Sequence, residues 1–575
     1  MADLIVKLSA KSTEWRMLSL KEKLVLLDRC LTNLDGDCEA LSIEKSRPGI
    51  IKTHKFSDGP RAKSETALVS LTMVGHITER IKYYRDALKA ATEGKLNYRE
   101  LPTRQDKFSN AIIKKVFPIT EAHKGHRLSA FTGEVWLDPA KPPKSTETEV
   151  PGVCVVLGAG NFDPLSLLDC LEALFVHNEV VLLKQHVLRE YVLPVHERVM
   201  KHLIELGYFA QIADGGVEAT KELIYHPLTR RIQLTGGIGT HDAIIRGAPG
   251  GVLKPLFTCE LGCVTPWLIV PDGATSSMAP ALWTDKNLKM HAKQVAACLK
   301  FFGSALCLAP KMLVLAKDWE HKEKFLNYIR LGLKEIQFSA PYYPGWENRF
   351  EKFVTAYGED AEVIEVDISD NKGKTKVALL HVKLEEGNKG GNRFALTEEA
   401  FAPVLAIVEI DVSQISSKSN KDTLADKFLS LAPSFCNTEG YGSLSCSVMV
   451  PPTVSEESLE RAISDLQYGQ VAVNVWSAVT NGVPNLTWGA YGGLYCPENA
   501  GSGIGVLNNT YMFPDQQILK SVGRAPFINS EMFVGILPPS LLFEVLAVVS
   551  RKITTFGKIL GALGVICRYF KLMWW

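Results

Sequence analysis

A chain of 575 residues is too long for one small core and points to two or three domains. Hydrophobic residues make up 46% and charged residues 22%, the balance of an ordinary globular protein, which excludes a disordered or fibrous chain. The net charge of +1, from 64 basic and 63 acidic side chains, leaves no basic excess for nucleic acid. Twelve cysteines occur at irregular spacings, with no CxxC pair and no Cys/His cluster of zinc spacing, so no metal is expected. The opening residues, Met1-Ala2-Asp3-Leu4-Ile5-Val6-Lys7, do not read as a secretory signal. A cytosolic, reduced protein whose thiols are mostly small buried hydrophobes accounts for this usage.

In chain order, residues 14–34 and 65–95 carry apolar side chains at helical spacing, as Leu18, Leu20, Leu24, Leu27 and Cys30 illustrate. The polar stretch 55–66, with Gly59 and Pro60, is expected to be a loop. Residues 1–120 are therefore expected to form a mostly helical packing layer. From Pro151 the pattern changes. The apolar run Val153-Cys154-Val155-Val156-Leu157 ends in Gly158-Ala159-Gly160, and leucines at helical spacing follow. A second run, Glu179-Val180-Val181-Leu182-Leu183-Lys184, precedes helices predicted near 189–207 and 218–226. Arg231-Ile232-Gln233-Leu234-Thr235 is a further strand, stopped by Gly236-Gly237. Strands alternating with helices predict βαβ units and a parallel sheet, and ligands bind at the carboxyl ends of such strands. A second alternation is predicted from 266 to about 475, with strands at 313–315, 378–382, 404–410, 446–450 and 471–475. Residues 341–346 and 367–374 read as loops.

Three side chains stand where chemistry is conceivable. Cys307, in Phe302-Gly303-Ser304-Ala305-Leu306-Cys307-Leu308-Ala309-Pro310, lies between a helix and an apolar strand. A thiol there can be a nucleophile, although a lone cysteine is more often inert. Glu260, in Thr258-Cys259-Glu260-Leu261-Gly262-Cys263, could be a general base, although a solvated loop glutamate is the commoner case. Asn161 follows Gly158-Ala159-Gly160 at a strand end, where its amide could donate to an oxyanion or cap a helix.

The order of these segments resembles the aldehyde dehydrogenase superfamily over residues 151–527. Residues 151–162 are similar to that family's strand ending in the oxyanion asparagine, and Val181-Leu182-Leu183-Lys184 to its strand with a cofactor-binding lysine. Leu234-Thr235-Gly236-Gly237 resembles its turn over the cofactor pyrophosphate, and Glu260-Leu261-Gly262 its Glu-Leu-Gly-Gly motif. Cys307-Leu308-Ala309-Pro310 resembles the nucleophile segment, and Glu398-Glu399-Ala400-Phe401-Ala402-Pro403 its Glu-Glu-Ile-Phe-Gly-Pro motif. Gly469-Gln470-Val471-Ala472-Val473-Asn474 and Gly501-Ser502-Gly503-Ile504-Gly505 match two later motifs. The resemblance implies an α/β fold: a Rossmann-type coenzyme domain (121–261), an α/β catalytic domain (262–483) and a return segment (484–530). It implies oxidation of an aldehyde with NAD or NADP, Cys307 as nucleophile, Glu260 as base and Asn161 in the oxyanion site. Lys184, Gly236, Gly237, Glu399 and Phe401 would bind the cofactor, and the chain would assemble as a homodimer or homotetramer.

Several residues depart from the pattern. Ala305-Leu306 replaces the usual Gly-Gln before the nucleophile, and Cys263 replaces the second glycine of Glu-Leu-Gly-Gly. Val187 stands where an acid would hydrogen-bond the adenosine ribose, which leaves NADP open and predicts only modest discrimination against it. These departures place the chain near a long, less typical branch. Two alternatives stay open, a CoA-dependent acyl reductase of the same fold and a catalytically silent membrane-associated binding protein. Glu260 argues against the first, because transfer to CoA needs no hydrolytic base.

The tail, 531–575, is unusually apolar and ends in Lys571-Leu572-Met573-Trp574-Trp575. Neither of its apolar stretches, 540–549 and 553–570, gives the roughly 20 uninterrupted apolar residues of a membrane span. Its cations and terminal tryptophans suit a helix in a membrane interface, with packing on the protein as the alternative. Peripheral membrane contact through 538–575 would bring medium- or long-chain aldehydes within reach.

Overall fold

The computed structural model describes residues 2–54, 66, 71–94, 98–119, 131–142, 151–273, 282–336, 340–368, 373–388, 390–415 and 422–528. Its backbone is organised by two sheets. The smaller has six strands in the order Gly503–Ile504, Leu256–Glu260, Thr229–Thr235, Val153–Leu157, Val180–Lys184, Phe209–Ile212. All its pairings are parallel except that of Gly503–Ile504. The central strands, VCVVL and VVLLK, are buried along their whole length. Such continuous apolar runs are what a parallel sheet covered on both faces requires.

The covering helices are amphipathic. Leu165–Phe175, Leu193–Glu205, Gly216–Ile224 and Ile238–Arg246 form the crossovers. The amino-terminal helices Ala2–Met17, Leu20–Thr32, Gly36–His54 and Ile77–Thr92 add a layer, with Trp15, Leu27, Ile77 and Ile81 in the same core as Val155 and Leu182. Leu20–Thr32 starts with a capping box, Ser19 and Glu22 each satisfying the other's backbone N–H.

The larger sheet has eleven strands. Their order is Thr103–Gln105, Ile112–Phe117, Thr132–Leu137, Ile518–Arg524, Gln470–Val473, Ser445–Met449, Pro266–Ile269, Met312–Ala316, Val404–Ile410, Lys374–Val382, Ala361–Asp367. The run from Ile518–Arg524 to Lys374–Val382 is parallel, and antiparallel strands flank it on both sides. Its core holds Trp267, Leu313, Val314 and Ile407, and Cys307 packs on the edge of that core.

Strands expected at 153–157, 179–184, 231–235, 313–315, 378–382, 404–410, 446–450 and 471–475 are present, within a few residues at their ends. The helical opening ends sooner than its pattern implied, because Thr103–Gln105 and Ile112–Phe117 are strands. Strand Thr132–Leu137, which the sequence groups with the coenzyme unit, pairs instead in the larger sheet. The stretch 55–65 and the tail 531–575 lie outside the described residues. Among the described residues no helix is long and apolar enough to cross a membrane.

Candidate active site

The two sheets bring the sequence's candidates together from strand ends. Thr235 and Glu260 are register partners on neighbouring parallel strands, so their side chains point to the same face. Glu260 is not a solvated loop residue. It closes strand Leu256–Glu260, is 7% exposed, and its Oε1 has no hydrogen-bond partner among the described residues. Its carboxyl lies against the Cys307 thiol and the Trp488 indole. Burial pushes the Glu260 pKa up to about 8; the carboxylates of Asp169 and Glu399 add to the shift, while the contact with Cys307 opposes it. Asp169 itself, on helix Leu165–Phe175, accepts from the Thr235 hydroxyl at 2.7 Å, and burial raises it to about 7.

Cys307 is half-buried, yet its thiol is set among protein atoms. Burial holds its pKa well above the ordinary thiol value, and Glu260 and Glu399 push it further. The thiol and Glu260 thus form a proton-holding pair with no cation bonded to it among the described residues.

The backbone around Cys307 is pinned carbonyl by carbonyl. Lys311 Nζ donates to Ser304 O and Ser304 Oγ, each at 2.8 Å. Asn161 Nδ2 donates to Ala305 O at 3.0 Å. Thr265 Oγ1 donates to Cys307 O at 2.7 Å, and Trp476 Nε1 to Leu308 O at 2.8 Å. Phe302, Gly303 and Ser304 all lie in the left-handed region, with φ of 50°, 63° and 65°. For Phe302 and Ser304 that costs about 1–3 kcal/mol each, which the five bonds from these four side chains offset. Gly303 is required: a Cβ there would stand 2.6 Å from Pro341 Cα. An amide NH2 has two protons. One of Asn161's is spent on Ala305, which fixes the direction of the other.

The Glu-Leu-Gly segment has a packing reason. A Cβ on Gly262 would come within 2.1 Å of Glu399 Oε2, so the glycine admits that carboxylate. Glu399 accepts from the Cys263 N–H, and burial raises its pKa while the buried Lys311 ammonium opposes the shift. Its Oε1 has no partner among the described residues.

The residues present fit a dinucleotide. Helix Ile238–Arg246 begins at Gly237 without a side-chain cap, and a Cβ on Gly237 would meet nothing within 4 Å, so the first N–H groups are open to an anion. Lys184 closes its strand on the same edge, and the orphaned Glu399 oxygen is an acceptor for a hydroxyl. Phe401 holds a left-handed φ of 45° and packs edge-on against Tyr343, with centroids 4.9 Å apart.

Cys307, Glu260, Asn161 and Glu399 therefore converge on one site, and Gly236, Gly237 and Lys184 sit on the neighbouring strand ends. Thr265, Lys311, Trp476 and Asp169 escaped sequence reasoning. The one available signal was Lys311, a charged residue opening an apolar strand. Among the described residues no group of acidic, His and Cys side chains could hold a metal.

No protein-family model matches the chain. Its structure is similar to that of NADP-dependent glyceraldehyde-3-phosphate dehydrogenase from Bacillus halodurans in complex with NADP, at 15% identity and a TM-score of 0.57, over 91% of this chain and 90% of that one. It is also similar to NAD-dependent aldehyde dehydrogenase from Sinorhizobium meliloti, at 15% identity and a TM-score of 0.58, over 92% and 88%. Lactaldehyde dehydrogenase from Escherichia coli matches at 14% identity and a TM-score of 0.56, over 90% and 89%. Near-complete coverage of both chains in each case makes this fold that of the aldehyde dehydrogenases.

Proposed function

We propose that the chain oxidises an aldehyde to its carboxylic acid with NAD or NADP, through an acyl thioester on Cys307. The observation that carries this reading is the Cys307 thiol lying against the buried Glu260 carboxyl, with the Asn161 amide anchored two residues before the thiol. The bound nicotinamide would supply the two-electron oxidation. Lys184, Glu399 and Phe401 would position the dinucleotide, and Gly236 and Gly237 would admit its phosphates.

The chain's own residues do the rest. Cys307 Sγ passes its proton by way of the adjacent Glu260 carboxylate to solvent and bonds the aldehyde carbon. The Asn161 amide and the Cys307 N–H hold the resulting oxyanion, stabilising the charge that develops on the former carbonyl oxygen as the carbon becomes tetrahedral. Once the acyl thioester has formed, Glu260 takes a proton from water. The hydroxide attacks the acyl carbon, the carbon–sulfur bond breaks, and the thiol and the acid are released. A buried carboxyl with a free Oε1 suits this hydrolytic role better than transfer to CoA, which needs no base. Phe162 and Phe302 meet edge-on at 5.5 Å beside the nucleophile segment. That apolar side favours an aldehyde carried on an apolar group.

An aldehyde panel assayed separately with NAD and with NADP tests the proposal. Nucleotide reduction matched by equal acid is expected, and Cys307→Ala should abolish both while still binding nucleotide. Full turnover in that variant, or a CoA requirement, would sink it.

A further inference from the structure

Lys184 is not left open at the end of its strand. Its ammonium is bound to the Asp214 carboxylate, which sits just beyond the neighbouring strand Phe209–Ile212. Asp214 is fixed from two further directions, one through its carboxylate and one through its backbone. Gly216 N–H donates to Asp214 Oδ2 at 3.2 Å, and the Asp214 N–H donates to Glu190 Oε1 at 2.9 Å. Asp214 is followed by Gly215 and Gly216, both left-handed, with φ of 65° and 79°. That turn returns the chain into helix Gly216–Ile224 and brings the Gly216 N–H round to the carboxylate.

The surroundings add negative charge and withhold positive charge. Glu190 is the second carboxylate at this spot. His186 follows Lys184 by two residues, and burial lowers its pKa, which disfavours a positive charge there. Arg189 turns inward, to Tyr191, Tyr342 and the Asn161 carbonyl, and is buried. Val187 is 58% exposed and contributes no polar contact here.

We infer that Asp214, rather than the residue at 187, decides between the two nicotinamide dinucleotides: its carboxylate holds Lys184 and accepts from the ribose 2′-hydroxyl of NAD, and it repels the 2′-phosphate of NADP. This deepens the dehydrogenase reading and rests on it. The open NADP choice implied by the missing acid at 187 is thereby reversed, because an acid reaches the same lysine from just beyond the neighbouring strand. A carboxylate a few ångströms from a dianionic phosphate is unfavourable even in a solvated cleft, and a lysine already neutralised cannot compensate.

The test is equilibrium binding of NAD and of NADP to the full chain, by calorimetry, without aldehyde. Wild type should bind NAD at least about tenfold tighter than NADP. Asp214→Asn keeps the shape and frees Lys184, so it should shift that ratio about tenfold or more toward NADP, and Asp214→Ser should do the same. Circular dichroism checks that each variant is folded. If wild type binds both nucleotides equally, or if both variants keep the wild-type ratio, the inference is overturned while the dehydrogenase reading stands. If wild type binds neither, both fall together.

Discussion

Glu260 shows how much a single position depends on the fold around it. A general base must be unprotonated to act, and burial places this carboxyl near 8. Its active form therefore grows as pH rises, and acid release should climb through about pH 8. Asp169 contributes negative charge to that shift, so Asp169→Asn should move the limb to lower pH, as read from kcat against pH. An unmoved profile would show that Asp169 is only structural. Glu260→Gln should lower steady-state turnover by about 10²–10⁴-fold. The residue type and its motif were legible in the sequence. Its burial was not, because that comes from Trp488 and helix Leu165–Phe175, which only the fold brings near. The same holds for Asp214, which belongs to no motif and matters because its strand is the neighbour of Lys184's.

At the scale of elements, the nucleophile segment is a left-handed loop held by Lys311, Asn161, Thr265 and Trp476. Lys311→Met leaves Ser304 O and Ser304 Oγ without their buried donor, a loss of about 1–3 kcal/mol. Urea unfolding should show it, together with reduced turnover; unchanged stability would mean the loop does not need the pin. Helix Leu193–Glu205 carries His196, buried with neither ring nitrogen partnered among the described residues, and burial holds its pKa down to about 3. Unfolded histidine takes its proton near pH 6.5. Between those values the unfolded chain binds the extra proton, so this residue's contribution falls as pH drops through that window. His196→Leu should narrow the stability gap between pH 7 and pH 5 by about 2 kcal/mol. An equal gap in both proteins would contradict the assignment. The buried parallel strands were legible because both their faces are apolar. Thr103–Gln105 was not, since all three residues are exposed and carry no alternation. Leu256–Glu260 was obscured by its Thr and Glu, which interrupt the apolar run.

Across the whole molecule, the first sheet carries Lys184, Gly236, Gly237 and Glu260 at its strand ends, and the second carries the strands that follow Cys307 and the Glu399–Phe401 segment. Strand Gly503–Ile504 ties them by returning to Leu256–Glu260 late in the chain. The parallel βαβ order was legible from alternating apolar runs, whereas the antiparallel flank joining residues 103–137 to 518–524 depends on pairings too distant for local pattern to reveal. The apolar tail is argued from sequence alone: removing residues after Phe533 should move the protein from liposome pellet to supernatant without unfolding it, and a full-length protein that already stays in the supernatant would end that idea. The central claim is that Cys307 carries an acyl group which Glu260 discharges. It is tested most directly by intact-mass and peptide mass spectrometry of Glu260→Gln after mixing with an aldehyde and nucleotide. The account predicts one acyl group per chain, mapped to the peptide containing Cys307 and absent from Cys307→Ala. An unmodified Cys307 alongside reduced nucleotide, or the acyl group on another cysteine, would contradict it.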